Sequence, residues 1–182
     1  QKAAAAGLDA VIVCPTGVIG PYDYRGYELG EVIRGAAEAN PMFYVEGAYD
    51  FVDVRDVADG LLLAKEKGRS GQSYILGGNR ISVRYLLETV REVTGKAFSS
   101  IKIPFSLADL AAKFTPAYYR WSKAKPRFTP YSLEVLQSNS HISHAKAERE
   151  LGFRPRPAYE TIADTVRWFF ENRKFRTQSQ EV

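Results

Sequence analysis

Cysteine is almost absent from this chain: its 182 residues include one, Cys14. A single thiol excludes an intramolecular disulfide and a cysteine-ligated metal cluster, and it suits a reducing, cytoplasmic setting. Histidine is nearly as scarce. His141 and His144 stand three positions apart without companions at ligand spacing, so no metal site is expected. No apolar run approaches the roughly 18 residues that a bilayer crossing needs, which points away from a membrane. The opening QKAAAAGLDA has neither an initiator methionine nor the layout of a signal peptide. It reads as the end of a helix that begins elsewhere, and the chain is expected to be the C-terminal portion of something longer.

What remains is ordinary globular material. Apolar residues make up 45% and charged residues 25%, so a packed core is expected. The net charge of +4 is mild. Basic residues are scattered apart from Arg120, Lys123, Lys125 and Arg127, which reads as a solvated face rather than a nucleic-acid contact.

Along the chain, helix formers at 1–6 end at Gly7, and LDAVIVCP follows as a short β-branched run. That is the pattern of a strand buried on both faces in a parallel sheet, with Cys14 packed inside it. PTGVIGPYDYRGYELG is rich in Gly, Pro and Tyr and reads as a loop leaving the carboxyl end of that strand, where open parallel sheets hold ligands. ELGEVIRGAAEA reads as a helix. MFYVEGAYDFVDV reads as a hairpin or two short strands turning at Glu46 and Gly47. Asp53 or Asp56 caps the next helix, whose Val57, Leu61 and Ala64 share a face, with Lys65 and Lys67 near its end and Gly68 as the stop. SYILGG is a second buried strand. Ser82 opens a helix with Val83, Leu86, Leu87, Val90 and Val93 on one side, closed by Gly95. SSIKIP alternates as an edge strand, and Ser106 opens another helix. Thr129 and Pro130 supply an N-cap and first-turn proline, Ser143 caps a helix closed by Gly152, and the last helix presents Ile162, Val166 and Phe169 together.

In this order, GLDAVIVCPTGVIGP, YDFVDVRDVADGLLLA, YILGG with its Ser-capped helix, and AERELGFRPRP before TVRWF resemble the extended short-chain dehydrogenase/reductase superfamily. Within it, the chain is similar to the NAD-dependent epimerase/dehydratase group and its branch of dihydroflavonol reductases and 3β-hydroxysteroid dehydrogenases. The resemblance implies an α/β fold: the C-terminal part of a Rossmann-type parallel sheet with helices, plus a smaller mixed α/β substrate-binding domain. Residues 1–20 and 50–78 would belong mainly to the former, 21–49 and 79–182 mostly to the latter. It implies NAD or NADP as cofactor, a small-molecule substrate and a possible homodimer.

By the same resemblance, Pro15, Thr16, Gly17 and Val18 lie against the nicotinamide. The Val18 N–H would meet its carboxamide and Pro15 would wall one ring face. Tyr22, Tyr24, Tyr27 and Arg55 face the substrate, and Asp56 mainly caps a helix. The superfamily's Gly-rich dinucleotide loop has no counterpart here, since Gly77-Gly78 follows a late strand and reads as a turn. The superfamily also donates a proton from a Tyr four residues before a Lys. Tyr119 and Lys123 have that spacing, but lie in the substrate-domain region; the true pair is expected upstream of residue 1, leaving no catalytic residue in this chain. The activity implied is reduction of a ketone or aldehyde by hydride transfer. Two alternatives stay open: a nucleotide-sugar epimerase or dehydratase, with Arg55 on a diphosphate, and a non-catalytic NAD(P)-binding sensor or interaction protein.

Overall fold

The computed structural model describes residues 6–24, 32–33, 35–36, 41–96, 99–110 and 140–172. Seven strands are found among them: β1 Ile12–Pro15, β2 Gly17–Ile19, β3 Met42–Val45, β4 Ala48–Asp53, β5 Ser73–Leu76, β6 Asn79–Ser82 and β7 Ser100–Ile103. The principal helices are α1 Val54–Lys67, α2 Val83–Thr94, α3 Ala145–Leu151 and α4 Ala158–Glu171; residues 105–110 are also helical.

The strands form three small sheets. β1 and β5 pair in parallel, with Ile12 opposite Ser73 and Pro15 opposite Leu76. β4 sits between β2, parallel to it, and β6, antiparallel. β3 and β7 pair in parallel. Glu46 and Gly47 therefore do not turn a hairpin: β3 and β4 are two short strands that join different sheets. A two-residue link permits either outcome, and the distant partner β7 decides it. The PTGVIGP stretch is not all loop, because Gly17–Ile19 adds β2 to the edge of β4.

Two cores hold these layers. One gathers Leu86, Leu87 and Val90 of α2, Ile162, Val166 and Phe169 of α4, and Ile19 and Ile81 from the three-stranded sheet. The expected apolar faces of both helices are those that are buried. The other core packs Tyr74 and Leu76 of β5 against Ala64 of α1 and Ala147 and Leu151 of α3, with Val11 and Val13 alongside. Here the expectation for α1 needs correction. Its buried positions are Asp56, Gly60 and Ala64, whereas Leu61 lies exposed. A β-carbon on Gly60 would come within 2.4 Å of the Leu76 Cδ1, so the glycine lets helix and strand approach closely and rotates Leu61 outward.

The strand LDAVIVCP is covered on one face rather than two. Val11 and Val13 point into the second core, while Ile12 and Cys14 are exposed. Among the described residues no element lies over that other face.

The caps follow their chemistry. Ser82 accepts the Tyr85 N–H and opens α2, and Gly95 closes it at φ +63°. Gly152 closes α3 at φ +77°. The residue at the N-cap of α3 is His144, but the Ser143 hydroxyl oxygen accepts the Ala145 N–H at 3.3 Å. α1 is capped by Asp53, not Asp56. The segments carrying Tyr27, Tyr119, Lys123, Thr129 and Pro130 lie outside the described residues.

Candidate functional site

Pro15, Thr16, Gly17 and Val18 run from the end of β1 into β2, at the carboxyl edge of the β1–β5 pair. β2 is an edge strand, bonded to β4 on one side with no partner strand among the described residues on the other. Its outer rim thus offers main-chain donors and acceptors. Pro15 is exposed and Val18 is 45% exposed. Gly17 is packed tightly from behind: a β-carbon there would lie 2.7 Å from the Phe51 ring. An exposed proline, an accessible valine and an open strand edge could take a flat ring bearing an amide, such as the nicotinamide that the family resemblance implies.

A buried carboxylate fixes this segment. Asp50 on β4, 3% exposed, accepts the Thr16 hydroxyl at 2.7 Å and the Gly78 N–H at 2.9 Å through the same oxygen. The Thr16 N–H also reaches the Leu76 carbonyl at 3.3 Å. Asp50 therefore ties the ends of β1 and β5 to the three-stranded sheet. Gly77-Gly78 is the expected turn, between β5 and β6, and its second glycine lies against the β4 backbone. The Nδ1 atom of His144 is buried beside this turn with no hydrogen-bond partner.

Arg55 is spoken for. Its Nε and Nη2 grip both oxygens of Asp53 at 2.9 and 2.8 Å, and its Nη1 reaches Asp164 of α4 at 2.9 Å. Burial alone would raise the Asp53 carboxyl. Hydrogen bonds from the Arg55 side chain and backbone outweigh it, helped by the Arg55 and Arg156 charges, and hold that carboxyl below the ordinary value of 3.8. The same bond to Asp53, followed by that to Asp164, holds the Arg55 guanidinium more firmly protonated than usual against the opposing effect of burial. Asp56 accepts the Arg156 backbone N–H and its Nε, both at 2.8 Å, and Glu160 lies 3.6 Å from the same guanidinium. With Arg167 also on Asp164 at 3.1 Å, three guanidiniums thus meet four carboxylates, an arrangement that fastens α1 to α4 and to the segment before it and leaves no net positive charge for a diphosphate.

Tyr22 and Tyr24 sit on the turn beyond β2, both exposed, with their rings edge-on to Trp168 of α4. Sequence reasoning missed β6, Asp50, Arg156, Asp164 and Trp168. Asp50 left a signal: it shares strand parity with the buried Ala48 and Val52, where a lone carboxylate demands partners. Among the described residues, no group of three or more His, Cys, Asp or Glu side chains is placed to hold a metal ion. No described helix is long and apolar enough to cross a membrane.

Comparison with known proteins bears on the family. Residues 1–77 match the model of the NAD dependent epimerase/dehydratase family. The chain is 34% identical over 167 residues to sterol demethylase protein B of Methylococcus capsulatus, covering 91% of this chain and 51% of that protein. It is 30% identical over 188 residues to a Synechocystis protein named as a dihydroflavonol 4-reductase, covering 97% and 52%. Among solved structures, a nucleoside-diphosphate-sugar epimerase from Pseudomonas aeruginosa superposes with a TM-score of 0.66 at 26% identity, over 94% of this chain and 51% of that one. The chain spans about half the length of the curated relatives it matches. With an α/β fold of parallel strands and flanking helices and a matching succession of motifs, it belongs to the NAD-dependent epimerase/dehydratase family of the extended short-chain dehydrogenases and reductases.

Proposed function

We propose that this chain provides the nicotinamide-side edge and part of the substrate surface of an NAD(P)-dependent reductase acting on a ring-bearing ketone or secondary alcohol. The observation that carries the reading is the Pro15–Val18 segment, an open strand edge at the carboxyl end of β1, held by a buried carboxylate. When bound, the cofactor supplies the hydride. The chain's own residues orient it: Pro15 offers a flat apolar wall, Val18 an accessible main-chain edge, and Asp50 the anchor that keeps both in register. The proton donor is not assigned to any described residue.

Two observations favour a reductase over a nucleotide-sugar enzyme. Arg55, the candidate for a diphosphate, is held by Asp53 and Asp164. The two curated relatives described above carry names referring to a sterol and a dihydroflavonol, both ring systems. The test, on the product of the complete gene, is NAD(P)H oxidation at 340 nm with fused-ring ketones and, separately, chromatographic analysis of the products formed from dTDP- and UDP-sugars, whose epimerisation or dehydration is redox-neutral and leaves that absorbance unchanged. Turnover of ketones alone is expected. Conversion of the nucleotide sugars with no ketone reduction would overturn the reading.

A further inference from the structure

The turn beyond β2 holds a conformation that its residue type disfavours. Tyr22 is the one non-glycine with positive φ among the described residues, at +76°. That region is uphill for a side chain bearing a β-carbon, and such strain persists where the surroundings impose it, often at ligand sites. The Tyr24 N–H then donates to the Tyr22 carbonyl at 3.0 Å, closing a three-residue turn over Asp23. The two reversals bring both rings against one partner. Tyr22 meets Trp168 at 6.4 Å and 66°, and Tyr24 meets it at 5.2 Å and 90°. Trp168 is 9% exposed and rests edge-on against Phe169, whereas Tyr22 and Tyr24 remain 59% and 54% exposed. A turn that served only to fill space would bury these rings. This one strains its backbone and leaves them open.

We propose that Tyr22 and Tyr24, set in place by Trp168, form a preorganised shelf that receives the flat apolar ring system of the substrate. Trp168 is a positioning residue: it acts through the tyrosines. The inference rests on the reductase reading and names the surface that selects its substrate. Tyr22 is four residues from Val18, so the shelf lies within roughly 14 Å of the nicotinamide-side edge, a span that fused rings can bridge. The flank suits an uncharged ligand, because Asp164, one turn before Trp168 on α4, is already bound to Arg55. Aromatic edges and faces favour planar apolar partners over hydrated phosphates.

The test is equilibrium dialysis of the product of the complete gene with 2-tetralone, an uncharged fused-ring ketone, against uridine diphosphate. Trp168 emission is followed as the component that a Trp168→Phe variant loses. Saturable binding of 2-tetralone that quenches Trp168 is expected, with no quenching by uridine diphosphate. Tyr22→Ala and Tyr24→Ala should each raise the Kd about fivefold, while Trp168→Phe, which preserves a ring edge, should keep it within about twofold. Tyr22→Gly separates binding from packing, since glycine accepts the positive φ: Tm should hold or rise while the Kd rises. No binding of 2-tetralone, equal quenching by uridine diphosphate, or a Tyr22→Gly variant with lowered Tm and unchanged Kd would each overturn the shelf. Failure of the reductase reading is distinct: the shelf would bind 2-tetralone and its variants would weaken that binding, yet the product of the complete gene would reduce no ketone.

Discussion

Gly78 has no room for a side chain. A β-carbon there would lie 2.0 Å from the Phe51 carbonyl oxygen, and its N–H is one of the two donors to Asp50. Gly78→Ala must therefore displace backbone rather than a pliable side chain. It is expected to cost about 2–3 kcal/mol of stability in urea unfolding; a loss near zero would mean the turn has slack. At this scale the sequence was legible where chemistry is local. Ser82, Gly95 and Gly152 were identifiable as helix boundaries because a cap depends on its immediate neighbours. The pairing of Asp56 with Arg156, a hundred positions away, was not, because nothing near either residue names the other.

Among the elements, α1 concentrates the electrostatics. Its cap, Asp53, has a buried carboxyl whose acidity is strengthened in the folded chain. A carboxylate with a depressed folded value stabilises fully above its unfolded value, here 3.8, and that contribution is lost as pH falls through the lower folded value. Asp53→Asn should cost about 2 kcal/mol at neutral pH, through the lost charge-assisted bonds to Arg55. Its stability curve should converge with that of the parent only as pH falls below about 3.8 and through the lower folded value, where the parent's own carboxyl protonates. Chemical denaturation across that range checks this, and a constant gap would show that charge is not the cause. Periodicity revealed α2 and α4 with their buried faces, because a helix needs only one apolar stripe. It misjudged α1, where a glycine rather than a leucine faces the sheet, and it missed β6, whose Asn-Arg-Ile-Ser carries too little apolar alternation to announce a strand.

Across the whole molecule, the β1–β5 pair presents one covered face and one open face among the described residues, and Cys14 lies on the open one. Ellman's reagent should titrate one thiol in the native chain at a rate within about tenfold of the urea-unfolded chain. A far slower reaction would mean that this face is covered in solution. The family was legible because its motifs follow one another in a fixed order over nearly the whole chain. The pairing of strands into three sheets was not, since each small sheet joins segments 28 to 61 residues apart and no local pattern encodes a distant partner.

The carboxylate of Asp50 has a mechanical consequence. Two strand ends from one sheet hang on a single oxygen of a side chain rooted in the next, so tilting one sheet against the other would leave a buried polar side chain without its partners. The pair behaves as one stiff plate. The tyrosine turn at its margin is positioned by other means, through the ring edges of Tyr22 and Tyr24 on Trp168 of α4.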